Sequence, residues 1–250
     1  MNKTEHDTQS GTLYGIGVGP GDPDLIPLKA VNILQHVDVV FAASSTKNSH
    51  SLAVNIARPH IPDTVQVRLL PFPMTQDARE AGTAWENHAR IIVRELEKGR
   101  NAAFLTLGDP MTYSTYGYVL KQIKRIAPHM SVETIPGITS YQASAACLNQ
   151  PLVEGEEALL IVSGANGGDR LRGLTDKPEN VVFLKAYRHI EDITAALTEA
   201  GRLDGSVGIS QCGLENQQIV LDINEFNQRR PDYWTLIISK QNNENAPKND

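Results

Sequence analysis

Chemistry-bearing residues are concentrated in one stretch, Phe104 to Tyr118, which reads Phe-Leu-Thr-Leu-Gly-Asp-Pro-Met-Thr-Tyr-Ser-Thr-Tyr-Gly-Tyr. An apolar run ends abruptly at Gly108-Asp109-Pro110, and apolar residues then recur at helical spacing from Tyr116. The pattern predicts a buried strand, a tight turn and a departing helix. Ligands collect at the carboxyl ends of strands in open α/β sheets, and glycine lets them approach the backbone. Taken alone, these residues are more typical of a plain turn.

Two further stretches repeat the pattern of a strand running into a glycine turn. One is Leu13 to Pro23, Leu-Tyr-Gly-Ile-Gly-Val-Gly-Pro-Gly-Asp-Pro, and the other is Thr134 to Ser140, Thr-Ile-Pro-Gly-Ile-Thr-Ser. A dinucleotide-binding fingerprint needs Gly-x-Gly-x-x-Gly. The sixth residue is Pro20 when the count begins at Gly15 and Asp22 when it begins at Gly17, so both registers fail and no nicotinamide site is predicted.

The elements that must position these turns alternate between strand and helix. In the first half, strands are predicted at 12–18, 37–41, 65–70 and 101–107, and helices at 28–36, 49–58, 83–98 and from 116 to 127. This alternation predicts a mostly parallel sheet with right-handed crossovers. The short polar segment 128–131 is the predicted domain junction, so the first α/β domain is expected to span 11–127.

A second α/β domain is predicted for 128–240, with strands at 132–135, 158–163, 180–184, 207–211, 217–221 and 233–239. Helices are predicted at 140–148 and 190–200. The strands 207–211 and 217–221 are too close for a crossover helix, so they should form an antiparallel hairpin in a mixed sheet. The ends of the chain, 1–10 and 241–250, are predicted to be disordered.

Composition excludes several classes of function. The 250 residues carry a net charge of −6, which argues against a nucleic-acid partner. No apolar run approaches the roughly 20 residues that span a bilayer, and residues 1–10 lack the apolar core of a signal peptide. The two cysteines, Cys147 and Cys212, have no metal-ligand spacing, so no metal site is predicted and the expected compartment is a reducing cytoplasm.

Together, the three glycine turns resemble those of the tetrapyrrole (corrin and porphyrin) methylase family, over nearly the whole chain from about Gly11 to Lys240. The extension Tyr-Ser-Thr-Tyr after the Gly-Asp-Pro turn is similar to the branch that methylates carbon 20 of precorrin-2 or of its cobalt form, cobalt-factor II. The resemblance implies two α/β domains with the active-site cleft between them. It also implies a homodimer.

The resemblance further implies S-adenosylmethionine as methyl donor, with S-adenosylhomocysteine as product. The cofactor contacts carried over from the family are Pro20, Leu107, Gly108, Asp109, Thr112, Thr139, Ser140, Lys185 and Gly213. Carbonyls and small side chains suit the sulfonium and its methyl, while amides and hydroxyls suit the amino-acid tail and the adenine. Thr139 and Ser140 are equally typical of a helix N-cap.

Methyl transfer to carbon mainly requires that two reactants be held in line. Such positioning lowers the activation barrier by about 7–11 kcal/mol. Family members that act on uroporphyrinogen carry an aspartate after the second strand, where this chain has Ala43. No general base is therefore assigned. Tyr113, Tyr116 and His189 are candidate polar helpers, and each is also typical of a packed tyrosine or a surface histidine.

A precorrin carries many carboxylates, so a basic binding surface is expected although the protein is acidic. The candidate cations are Lys47, His50, Arg58, His60, Arg68, Lys185, Arg188 and His189. The alternatives left open are a ring methylase acting at another carbon and a binding module without turnover. The sequence leaves open whether the substrate contains cobalt. Diphthine synthases and ribosomal-RNA methylases share the fold, but they lack the Tyr-Ser-Thr-Tyr context.

Overall fold

The computed structural model describes residues 9–45, 51–73, 75 and 77–241, and the chain divides into two compact units between Thr139 and Ser140. The first unit is built on a five-stranded sheet in which every pairing is parallel. Its strands lie in the order β3-β2-β4-β1-β5, so β1 is flanked by β4 and β5. Their bounds are β1 Thr12–Gly17, β2 Val39–Ser45, β3 Gln66–Phe72, β4 Ala102–Thr106 and β5 Ser131–Ile135.

Helices cover both faces of this sheet. Their bounds are α1 Leu28–Leu34, α2 Leu52–Ala57, α3 Ala78–Leu96 and α4 Thr115–Ile126. Alternate residues of the buried strand β4 explain the two layers: Phe104 packs with α3 and α4, while Leu105 packs in the cluster that contains α1 and α2. Helix α3 begins five residues before its predicted start, because the Asp77 side chain accepts hydrogen bonds from the free amides of its first turn.

The second unit contains a mixed five-stranded sheet, as predicted. Its strands lie in the order β6-β7-β10-β8-β9; β6 and β7 are parallel, and the other pairs are antiparallel. The predicted hairpin is confirmed as β8 and β9. The bounds are β6 Leu159–Ser163, β7 Asn180–Leu184, β8 Ser206–Ser210, β9 Gln218–Val220 and β10 Thr235–Lys240, with helices α5 Ser140–Leu148, α6 Asp169–Arg172 and α7 Ile190–Glu199.

Each face of the second sheet has its own apolar cluster. Ile193 and Leu197 of α7 pack in the cluster that contains Phe183. Tyr141 and Leu148 of α5 pack in the cluster on the opposite face. The second unit therefore has an α/β/α layering like that of the first.

The division of the chain differs from the predicted junction at 128–131, because β5 completes the first sheet. It pairs in parallel with β1, in a register that places Thr134 opposite Gly15. This pairing satisfies the backbone groups on the side of β1 that β4 leaves unpaired. Of the predicted disordered ends, residues 1–8 and 242–250 lie outside the described residues.

No helix within the described part of the chain combines the length and the apolar character that crossing a bilayer requires.

Candidate active site

Three glycines bring the carboxyl ends of three neighbouring strands into direct backbone contact. Gly17 ends β1, Gly108 lies two residues beyond β4, and Gly137 lies two residues beyond β5. A Cβ atom on Gly17 would lie 2.5 Å from the Gly108 carbonyl oxygen and 2.8 Å from the Gly137 Cα atom. A side chain on Gly17 or Gly137 would therefore push these turns apart, so both positions need glycine for close packing.

The turns after β1 and β4 are also joined by two hydrogen bonds. The Gly108 amide donates to the Gly19 carbonyl at 2.7 Å, and the Gly19 amide donates to the Gly108 carbonyl at 3.3 Å. Both residues have positive φ angles, +77° for Gly19 and +66° for Gly108, which only glycine adopts without cost. Pro20, the residue after Gly19, is buried beside this pairing. We call Gly17, Gly19, Gly108, Asp109 and Gly137 the glycine-turn site.

The carboxylate of Asp109 ties the site together. Its Oδ2 atom accepts a hydrogen bond from the Gly137 amide at 3.1 Å. Its Oδ1 atom accepts from the Met111 amide at 2.9 Å and from the Thr112 hydroxyl at 3.2 Å. A carboxylate offers about four acceptor positions, so these three bonds leave room for a donor from a ligand.

The Gly108 backbone leaves space where any other residue would place its side chain. A Cβ atom on Gly108 would meet nothing closer than the Ile138 carbonyl oxygen at 3.8 Å and the Thr139 Cα atom at 3.9 Å. This space is bounded by backbone and by the buried Thr139. A Cβ atom there would be in ordinary van der Waals contact, so the space, which we call the recess, has room for a methyl-sized group beside a backbone carbonyl.

The structure gathers the predicted cofactor contacts of the first unit around this recess. Gly108 and Asp109 form the turn, Thr112 is bonded to Asp109, and Thr139 bounds the space above Gly108. Leu107 connects β4 to the turn and packs against the apolar cluster of α1 and α2. Helix α4 leaves from Ser114, whose hydroxyl caps its first turn and bonds to the Thr106 hydroxyl at 2.7 Å.

The candidate polar helpers occupy three different environments. Tyr113 is 54% exposed and has a φ angle of +50°, a strained conformation for a tyrosine. Tyr116 is fully buried, its hydroxyl lies 2.9 Å from the Thr134 hydroxyl, and burial raises its pKa. Its ring occupies the space beside Gly15, so Tyr116 matches the alternative of a packed core tyrosine. His189 is exposed and precedes α7.

The predicted contacts of the second unit lie at the ends of β7 and β8 and at the start of α5. Lys185 follows β7 with a φ angle of +59°, and Gln211 follows β8 with a φ angle of +53°. Gly213, two residues later, has a φ of +77°, and its amide donates to the Gln217 side-chain oxygen at 2.7 Å. Ser140 is the first residue of α5.

Left-handed backbone at non-glycine residues costs energy and is concentrated at functional sites. The sheet order explains why two such residues share one edge: β10 lies between β7 and β8 and is antiparallel to both, so β7 and β8 end on the same side. Gln211 was not among the predicted site residues, because no residue type signals a left-handed conformation outside glycine and asparagine.

Several candidate cations for substrate carboxylates are already engaged. Arg58 pairs with Asp63 at 2.7 Å, and Arg68 pairs with the buried Glu95 at 3.0 Å. Lys47 and His50 lie outside the described residues. Lys185 and Arg188 form no ion pair with any described residue, so their charges remain available to an anionic ligand.

The family described as Tetrapyrrole (Corrin/Porphyrin) Methylases matches residues 12–225, which include most of each unit and all three glycine turns. The chain belongs to the tetrapyrrole methylase family. In this tetrapyrrole methylase, Ala43 is half-buried and packs against the cluster of α3 and α4, so the second strand ends without a carboxylate at that position.

Two curated relatives of this tetrapyrrole methylase are named for one reaction. The chain is 32% identical over 234 residues to "Cobalt-precorrin-2 C(20)-methyltransferase" of Salmonella typhimurium, covering 93% of this chain and 98% of the relative. It is 33% identical over 235 residues to "Probable cobalt-precorrin-2 C(20)-methyltransferase" of Methanocaldococcus jannaschii, covering 92% and 96%.

The fold of this tetrapyrrole methylase is also that of solved structures. The uroporphyrin-III C-methyl transferase of Thermus thermophilus, in complex with S-adenosyl homocysteine, superposes with a TM-score of 0.65 at 23% identity. The match covers 92% of this chain and 97% of that one.

Proposed function

We propose that this protein is an S-adenosylmethionine-dependent methyltransferase of cobalamin synthesis that methylates carbon 20 of precorrin-2 or cobalt-factor II. The observation that carries the proposal is the identity of 32–33%, over more than nine tenths of both chains, to relatives named for this methylation. The sequence Tyr-Ser-Thr-Tyr after the Gly-Asp-Pro turn and Ala43 in place of an aspartate support the same branch.

The glycine-turn site fits S-adenosylmethionine. The recess at Gly108 has room for a methyl-sized group next to the backbone, and the spare acceptor capacity of Asp109 suits a hydroxyl or an ammonium group. In the first unit Pro20, Leu107, Thr112 and Thr139 complete the cofactor contacts, and in the second unit Ser140, Lys185 and Gly213 do so. When bound, the cofactor supplies an electrophilic methyl group on sulfur.

The chain's own residues act mainly by holding the reactants. The backbone contacts among Gly17, Gly108 and Gly137 make the first-unit site rigid, and the Asp109 bonds hold its turn in one conformation. Rigid placement reduces the entropic cost of bringing two reactants into line. A conjugated bridge carbon is electron-rich, so placement suffices without a strong base, which is consistent with Ala43. Tyr113 and His189 are exposed and stay candidate polar helpers, whereas Tyr116 is enclosed in the core.

We also propose that the protein acts in the cytoplasm as a homodimer. The cytoplasmic assignment is supported by the two free cysteines, one exposed and one buried, which a reducing compartment preserves. The homodimer is supported by the family resemblance.

The proposal is tested by incubating the protein with S-adenosylmethionine and, in separate anaerobic reactions, uroporphyrinogen III, precorrin-2 and cobalt-factor II. Mass spectrometry then counts the methyl groups added. We expect one addition to precorrin-2 or cobalt-factor II and none to uroporphyrinogen III. Two additions to uroporphyrinogen III would overturn the branch, and binding of tetrapyrrole without any addition would favour a non-catalytic module.

A further inference from the structure

Three aromatic side chains and one arginine form a compact cluster in the second unit. The rings of Tyr187 and Tyr233 meet edge to face with centroids 5.0 Å apart, and those of Tyr233 and Trp234 meet at 4.7 Å. The Arg188 guanidinium lies 5.3 Å from the centroid of the Tyr187 ring. We call Tyr187, Arg188, Tyr233 and Trp234 the aromatic–arginine cluster.

The backbone of this cluster connects the two turns at the ends of β7 and β8. The Ala186 amide donates to the Thr235 carbonyl at 2.9 Å, and the Gln211 amide donates to the Trp234 carbonyl at 3.1 Å. The Gln211 side chain also donates to the Asp232 carboxylate at 2.7 Å. Asp232 directly precedes Tyr233, so the carboxylate nearest in sequence to the aromatic residues is already hydrogen-bonded. The cluster is thus held between the turn of Lys185 and the turn of Gly213.

The cluster remains open to solvent although it is rich in aromatic surface. Tyr233 is 40% exposed and Trp234 is 44% exposed, whereas Phe183 and Phe226 of the same unit are buried. Arg188 is exposed and has no carboxylate partner among the described residues. Exposed aromatic and arginine side chains that are already packed together are typical of binding surfaces, because little side-chain entropy is lost on binding.

We propose that the aromatic–arginine cluster binds the tetrapyrrole substrate, with the Tyr233 and Trp234 rings against the unsaturated macrocycle and Arg188 on its carboxylates. This inference rests on the proposed function, because it assigns part of the substrate site of that methyltransferase. The guanidinium binds both oxygens of a carboxylate, and the aromatic rings offer flat apolar surface.

The test is a pair of equilibrium binding measurements on the full-length protein. Cobalt-sirohydrochlorin, the cobalt-factor II macrocycle, is titrated by absorbance, and S-adenosylhomocysteine is titrated separately by calorimetry. We expect Arg188→Ala and Tyr233→Ala each to weaken cobalt-sirohydrochlorin binding about tenfold, equivalent to ~1.4 kcal/mol, and to leave S-adenosylhomocysteine binding unchanged. Tyr233→Phe, which keeps the aromatic ring, should retain most of the tetrapyrrole affinity that Tyr233→Ala loses.

Two variants serve as matched controls. Arg170→Ala removes another exposed arginine of the second unit, and Tyr118→Ala removes another exposed, stacked aromatic residue, which lies on α4. Both should bind cobalt-sirohydrochlorin as the wild type does. Unchanged affinity in Arg188→Ala and Tyr233→Ala would overturn the inference, as would loss of dimerisation with intact affinity, which would make the cluster a contact between copies. If the wild type fails to bind the tetrapyrrole, the proposed function itself fails.

Discussion

The Asp109 carboxylate accepts a hydrogen bond from the Gly137 amide, with 3.1 Å between Oδ2 and the nitrogen. This bond joins the turn after β4 to the turn after β5, and β1 lies between these two strands in the sheet. The Asp109 side chain therefore spans the carboxyl end of β1. There Gly17 and Gly19 contact Gly108, in the turn after β4. This bond and the glycine contacts therefore connect all three turns to one another.

Replacing Asp109 by alanine should loosen this arrangement. Asp109→Ala leaves the Gly137 and Met111 amides without their acceptor, so we expect the free energy of unfolding to fall by about 1–3 kcal/mol. Because the turns would no longer be held together, S-adenosylhomocysteine affinity, measured by calorimetry, should fall about tenfold.

Asp77 provides the control for Asp109, since its Oδ1 atom also accepts bonds from two backbone amides, those of Arg79 and Glu80 at the start of α3. Asp77→Ala should cost about 1 kcal/mol of stability, as expected for the loss of a helix cap, with no change in S-adenosylhomocysteine affinity. Equal losses of affinity in the two variants would show that Asp109 has no particular role in the cofactor site.

A side chain at position 108 should block the recess. Gly108→Leu should reduce S-adenosylhomocysteine affinity by about tenfold or more, because the leucine fills the space beside Ile138 and Thr139. The positive φ of Gly108 adds a strain of about 1–2 kcal/mol, so the variant must first be shown to be folded by circular dichroism.

Gly201→Leu is the control for this strain. Gly201 has a φ of +65°, close to the +66° of Gly108, and a Cβ atom there would meet nothing within 4 Å. It should lose comparable stability and keep its cofactor affinity. A Gly108→Leu protein that is folded and binds S-adenosylhomocysteine as tightly as the wild type would remove position 108 from the cofactor site.

Much of the fold follows from patterns within single segments of the sequence. The buried run ending at Thr106, the turn at Gly108 and the helix from Thr115 are each determined by neighbouring residues. The assignment of β5 to the first sheet is different, because it depends on β1 needing a second partner. Apolar periodicity identifies a strand, but it does not say which sheet the strand joins.

The site could be predicted only in part, for a related reason. The resemblance identifies Gly108, Asp109 and Thr139 by their motifs, but the Asp109–Gly137 bond joins residues that are distant in the chain. The left-handed backbone of Lys185 and Gln211 is imposed by tertiary structure rather than by residue type. The burial of Tyr116, on helix α4, similarly depends on Gly15 of strand β1. Such features appear only when the strands are assembled.

The absence of a carboxylate at position 43 leads to a further prediction. Ala43→Asp should not raise the turnover number, because the proposed reaction depends on placement rather than on a base there. The variant should also lose stability, since Ala43 packs against an apolar cluster and a buried charge is costly. Ala43→Asn is the size-matched neutral control. A turnover number that rises in Ala43→Asp but not in Ala43→Asn would contradict the branch assignment.

The first unit contains a buried carboxylate whose charge should stabilise it in a pH-dependent way. The Glu95 side chain is 5% exposed and contacts Lys98 at 2.9 Å, Arg68 at 3.0 Å and Arg100 at 2.9 Å. Hydrogen bonds from Lys98 and Arg68, with their positive charges, lower the pKa of Glu95 from 4.5 to about 2. The carboxylate therefore stabilises the fold above pH 4.5, and this contribution is lost as the pH falls towards 2.

The variant Glu95→Gln should accordingly be less stable than the wild type at pH 7, and the difference should shrink between pH 4.5 and pH 2. Urea denaturation at a series of pH values measures this difference. Glu97→Gln changes an exposed carboxylate two residues after Glu95. This control variant should have the same free energy of unfolding as the wild type throughout the series. A Glu95→Gln protein whose stability difference from the wild type does not change with pH would show that the Glu95 charge makes no net contribution.

The most direct test of the central claim is the position of the transferred methyl group. Precorrin-2 and cobalt-factor II are incubated anaerobically with the protein and S-adenosylmethionine labelled with carbon-13 in its methyl group, and the product is examined by NMR. We expect a single labelled methyl group bonded to carbon 20, the bridge carbon between two rings. A labelled methyl group on any other carbon of the macrocycle would contradict this expectation.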